Sequence, residues 1–145
     1  MSAEPMPAND TVTALSPDEK TWAMLAHLSG LVNLFTGILG PVIAGVIYLA
    51  WKDRSRYVAY QAMQSLILQL LVWVGGGAIV AIAWTVTGLL SVVLVGLCLI
   101  PFALALTAIP IIAPVYCIIG AIQTSQGDDF KYWQIGDWTR GTLNG

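Results

Sequence analysis

Apolar positions fill this chain in two blocks, and one short charged cluster separates them. Thr21 to Trp51 and Tyr57 to Gly127 contain no Asp, Glu, Lys or Arg, and Lys52-Asp53-Arg54-Ser55-Arg56 lies between. The second block is 71 residues long. About 20 apolar residues cross the hydrocarbon core of a bilayer as one helix, so this block has room for two helices that cross and turn back. The pattern predicts an all-α integral membrane protein of about four helices, at about 17–35, 38–51, 57–87 and 92–125. Flanking them, 1–16 reads as a disordered cytoplasmic tail and 127–145 as a cytoplasmic C-terminal tail.

Helix one has a strong start. Ser16 is placed as N-cap, Pro17 at the first helical position and Asp18 and Glu19 in the first turn, with Glu19 completing a capping box. Its end is marked by Thr36-Gly37-Ile38-Leu39-Gly40-Pro41, where glycines and a proline punctuate the apolar run. The 31 residues from Thr21 to Trp51 are tight for two full crossings at 1.5 Å per residue. Either both helices are short or they form a re-entrant hairpin; one long span from about Met24 to Trp51 is the remaining alternative. Helix four contains Pro101, Pro110 and Pro114, each lacking a backbone donor, and is expected to be kinked.

Composition sharpens this picture. The chain is 145 residues, 57% hydrophobic and 10% charged, against about 25% charged in an average soluble domain. A net charge of -2 with no basic stripe argues against nucleic acid as a partner. Lys52, Arg54 and Arg56 form the topological anchor, because short basic loops stay on the cytoplasmic side. With four membrane helices both termini are then cytoplasmic; with three, both lie outside. The expected location is the cell (inner, cytoplasmic) membrane as a multi-pass protein, with the lipid bilayer and other membrane subunits or a homo-oligomer as partners. Cys98 and Cys117 lack the spacing of a zinc or redox site and read as free, packing thiols.

Candidate chemistry is sparse. With no charged side chain inside the apolar blocks, the chain reads as non-enzymatic, with no cofactor and no metal site. His27 stands alone on its helix, and a structural hydrogen bond is favoured over a ligand or proton-carrier role. Gln61, Gln64 and Ser65, spaced i, i+3 and i+4, form with Gln69 a polar patch that must face other helices or a wet cavity. Two stripes of small residues, Gly77, Ala81 and Thr85 on helix three and Ala113, Cys117 and Ala121 on helix four, have the spacing that lets membrane helices approach closely. Helices three and four are expected to pack along them.

The segment from Arg56 through Tyr57-Val58-Ala59-Tyr60-Gln61-Ala62-Met63-Gln64 to Gln69 resembles the opening of the third membrane helix in the twenty-kilodalton Tic subunit family, part of the chloroplast inner-envelope import translocon, which has bacterial relatives. Glu19 to Gly30 and Ala121 to Gly127 are similar to the start and close of a related bacterial family. The match departs at Gln61, Met63 and Gln69, where relatives carry a His, a basic residue and an acid. The resemblance implies four helices, cytoplasmic termini and a channel-type translocon subunit passing protein or solute. The alternative is a structural or accessory subunit packed into a larger membrane complex.

Overall fold

The computed structural model of the protein describes residues 15–144, so the reading of 1–16 as a tail falls almost wholly outside the described residues. These form six α-helical segments: α1 (Pro17–Thr36), α2 (Leu39–Trp51), α3 (Arg56–Gln69), α4 (Gly77–Ser91), α5 (Val95–Gln126) and α6 (Ile135–Asn144). No strand occurs among them. A π-helical stretch, Leu70–Gly76, joins α3 to α4 without a break, so Arg56–Ser91 is one helical leg of 36 residues and α5 a second of 32. Only 11% of the residues in the most apolar window of either leg are buried inside the protein. A core helix of a soluble protein would be mostly covered; these legs present Leu, Ile and Val outward, which lipid tolerates and water does not.

Local chemistry explains where the helices begin. The Ser16 hydroxyl accepts from the Glu19 amide (3.2 Å) while the Glu19 carboxylate accepts from the Ser16 amide (2.8 Å), closing a capping box. That carboxylate also accepts from the Ser55 hydroxyl (2.6 Å), and Ser55 in turn accepts from the Val58 amide (3.3 Å) as the N-cap of α3. One glutamate thus ties together the starts of two helices. α1 ends at Gly37, whose φ of 74° is left-handed and suits glycine. The chain then turns back as α2, with Pro41 in its first turn, where no intrahelical donor is needed. A single span from Met24 to Trp51 is therefore replaced by a helical hairpin.

α1 is the centre of the bundle, in contact with α2, α3 and α5. Ala26, Ile47, Val58 and Ala62 form the apolar core between α1, α2 and α3. Close approach of α1 to α5 depends on glycine on both sides: a Cβ at Gly30 would lie 2.7 Å from Cys117 Sγ, and one at Gly120 3.0 Å from His27 Nδ1. α4 and α5 pair with each other and continue past the α1–α2 hairpin to an apolar turn at 92–94. α6 occupies part of the segment expected to be a tail and packs against α3.

The small-residue stripe on α4 requires a correction. Ala81 and Thr85 are exposed and Gly77 meets open space, whereas α4 presents Thr87 and Trp84 to α5, the Trp84 indole donating to the Thr107 hydroxyl (2.9 Å). The π-helical stretch holds more residues per turn than an α-helix. Each extra residue rotates the rest of the helix by about 100°, so the phase of α4 cannot be carried over from α3. On α5, Cys117 and Ala121 are buried and Ala113 half-buried, but the stripe faces α1 rather than α4.

Candidate functional site

Three features of the sequence meet at one level of the bundle: the glutamines of α3, the histidine of α1 and the aromatic residues that follow α5. Gln61, Gln64, Ser65 and Gln69 occupy one face of α3, and all four are buried. That face meets α1 and the link between α5 and α6. The Gln61 amide donates to the carbonyl of Phe130 (3.1 Å) and to Asp129 Oδ1 (3.2 Å). Its Oε1 is left as an acceptor, so His27 bonds it through a protonated Nε2 (3.0 Å) and the His27 Nδ1 accepts from the Tyr132 hydroxyl (2.8 Å). The partners thereby fix the histidine tautomer.

The network extends both ways along α3. Gln64 donates to Gln61 Oε1 and to the Phe130 carbonyl (2.7 Å), and accepts from the Tyr132 amide (3.1 Å). Ser65 donates to the Ala26 carbonyl (2.7 Å). Gln69 donates to Ser65 (2.9 Å) and Ser29 (3.0 Å) and accepts from Asn33 (3.1 Å), which also accepts from the Gly40 amide (2.8 Å). Among the described residues no buried side-chain nitrogen or oxygen lacks a partner. Each amide and hydroxyl of the patch is spent on holding helices together, which is the condition for keeping such groups in an apolar medium.

Around the histidine the rings stack edge to face. His27 lies 5.5 Å from Phe130 and 5.3 Å from Tyr132, and Tyr116 closes the cluster at 4.9 Å from Tyr132. Burial pushes the Tyr132 phenol well above the ordinary tyrosine pKa, so it stays a neutral donor to His27. Among the described residues no three His, Cys, Asp or Glu side chains converge to hold a metal ion.

Sequence reasoning isolated His27 and the glutamines but missed Ser29, Asn33, Asp129, Phe130 and Tyr132. His27 and Tyr132 are 105 residues apart, a separation that no local pattern reports. A weaker signal existed at Asn33, a polar side chain in an apolar helix without a charge beside it.

The charged side chains among the described residues all lie at one extreme of the same structure. Lys52, Arg54 and Arg56 occupy the α2–α3 connection, with Arg56 the first residue of α3; Lys20 reaches the Gln126 carbonyl (3.4 Å), and Arg140 and Lys131 pair with Asp129 and Asp137. The starts of α1 and α3 and the ends of α2 and α5 therefore share one charged end. The opposite end carries no charge among the described residues, and its turns expose Phe35 at 90% and Val92 at 87%.

A model of the MamF/MmsF family, described as the magnetosome magnetite crystal formation protein family, matches residues 18–139. The chain belongs to this family. No curated protein and no solved structure matches the chain. The MamF/MmsF assignment overturns the resemblance to the Tic subunit. That resemblance rested on stretches spread between about 18 and 133, of which 56–69 carries amide residues that join α3 to α1 and to the α5–α6 link, and tyrosines that reach the Asp128 and Gly136 carbonyls. MamF/MmsF is a magnetosome membrane protein family, in keeping with the two long apolar legs.

Proposed function

We propose that this MamF/MmsF chain is a non-enzymatic component of the magnetosome membrane that takes part in magnetite crystal formation by packing into a membrane assembly. The family match across 18–139 carries this reading. The geometry supports packing over passage, because Gln61, Gln64, Ser65 and Gln69 are consumed in contacts within the bundle and leave no polar face for a path. His27, the residue best suited to proton transfer, likewise has both ring nitrogens engaged.

In this arrangement the charged end, with both described termini and the 52–56 loop, faces the cytoplasm. The short basic loop supports that orientation. The bundle enters the bilayer from there, and other copies or other membrane subunits cover part of its apolar surface.

The test is removal of the gene from its source cell, with crystals counted and measured by electron microscopy and the tagged protein followed through fractionation. Altered crystal size or number, restored by the wild-type gene, and recovery with magnetosome membranes are expected. Unchanged crystals together with a protein confined to other membranes would overturn the reading.

A further inference from the structure

After α5 the chain turns back along the bundle instead of leaving it at the charged end. Phe130 packs on Gly120, where an added Cβ would lie 2.9 Å from its ring, and the Trp133 amide donates to the Tyr116 hydroxyl (3.3 Å). Tyr116 lies ten residues before Gln126, the end of α5, a rise of about 15 Å. Ile135 packs on the buried cluster of Leu68, Cys117, Phe130 and Tyr132. The direction reverses at Gln134, whose φ of 62° is left-handed, and α6 climbs back. Its Gly136 carbonyl accepts from the Tyr60 hydroxyl (3.1 Å), and its Leu143 carbonyl from Arg56, the first residue of α3 (3.4 Å).

The descending part, 128–134, is not helical, and hydrocarbon admits irregular backbone only where protein groups replace water. They do so here. Gln64 accepts from the Tyr132 amide (3.1 Å) and donates to the Phe130 carbonyl (2.7 Å), which Gln61 also reaches (3.1 Å), and the Tyr57 hydroxyl donates to the Asp128 carbonyl (2.8 Å). Lys131, the one charged residue between Phe130 and Gly136, is paired with Asp137, and a side chain of that length can carry its charge back toward the headgroups. Trp133 stands at the tip and is 79% exposed. On α5 the exposed apolar surface already begins at Ile122, and Tyr116 lies six residues farther in, about 9 Å deeper. We infer that 127–138 is a re-entrant element whose Trp133 ring inserts among the acyl chains of the leaflet at the charged end, and that the glutamines of α3 are its seat. It requires only that the two legs span a bilayer, whichever side the charged end faces.

Nitroxide labels on Trp133→Cys, Gln126→Cys and Thr142→Cys, each in the full chain with Cys98→Ala and Cys117→Ala, test this by power saturation in phosphatidylcholine vesicles. Dissolved oxygen concentrates in hydrocarbon and a nickel chelate stays in water. Oxygen is therefore expected to dominate relaxation at 133, and the chelate at 126 and 142. Chelate access at 133 equal to that at 126 overturns the proposal, because the link would then lie in water. The label replaces the ring itself, so the natural chain supplies a second measurement in vesicles of dibrominated phosphatidylcholine. Trp133→Phe is expected to remove part of the quenched tryptophan emission there, and an unchanged quenched amplitude overturns acyl insertion. Gln64→Leu removes side-chain bonds to 130 and 132 and is expected to raise chelate access at 133 while leaving 126 unchanged. A label at 133 that keeps its protection in that variant overturns the glutamine seat.

Discussion

At the scale of single residues, the structure depends on polar groups that lipid would otherwise penalise. Gln61 is the clearest case, because it answers His27, Asp129 and Phe130 at once. Gln61→Leu leaves the His27 Nε2–H and the Asp129 carboxylate without it, and we expect a loss on the order of 3 kcal/mol in unfolding free energy in detergent. The loss should not add to that of His27→Phe: a double-mutant cycle is expected to give a coupling of about 1 kcal/mol. Strict additivity would show that the two side chains do not share a bond. Glu19 supplies a pH dependence. Its bond from Ser55, then that from the Ser16 amide, hold its carboxyl below the ordinary glutamate pKa, so the folded state binds its proton less readily than the unfolded chain. The stabilisation is complete above the ordinary glutamate value and is lost as pH falls through the lowered one. Thermal melting of Glu19→Gln between neutral and acid pH should accordingly show a smaller pH slope than wild type, and equal slopes would discount the interaction.

At the scale of elements, what could be read from sequence was what is decided locally. Ser16, Pro17 and Glu19 announce α1, and Gly37 its end, because caps and left-handed turns are settled within four residues. The facing of α4 was not legible, since Leu70–Gly76 changes the residues per turn and no composition rule marks a π-helical stretch. α6 was missed for another reason. Ten residues with two glycines and few apolar positions gain helicity only by docking on α3, a tertiary effect. The corrected phase of α4 makes a direct prediction. Ala81→Leu points outward and should change stability by less than about 0.5 kcal/mol, whereas Ala103→Leu overpacks a buried position of α5 and should cost about 1–3 kcal/mol. Reversed sensitivities in detergent unfolding would restore the stripe at Gly77, Ala81 and Thr85 as the contact face.

At the scale of the whole molecule, length decides how the two hairpins sit in a bilayer. The Arg56–Ser91 leg has 36 residues, about 54 Å at 1.5 Å per residue. Even inclined by about 40°, the upper end of common tilts, it rises roughly 41 Å, more than a hydrocarbon core of about 30 Å. The leg is therefore long enough to carry the turn at 92–94 to the far interface. The α1–α2 hairpin is not: α2 has 13 residues, about 20 Å of helix, and its turn ends in exposed Phe35 and Ile38, which belong in hydrocarbon. We therefore propose two crossings plus a re-entrant hairpin, with all the charge of the described residues on one side. Single cysteines introduced at Arg54, Ile38 and Val93, in a background with Cys98 and Cys117 changed to alanine, test this with a membrane-impermeant thiol reagent. Position 54 should be modified from the side that bears the C-terminus, position 93 only from the opposite side, and position 38 from neither. Modification of position 38 from the far side would make the first hairpin a full crossing, and modification of 54 and 93 from the same side would remove the far turn from the other interface.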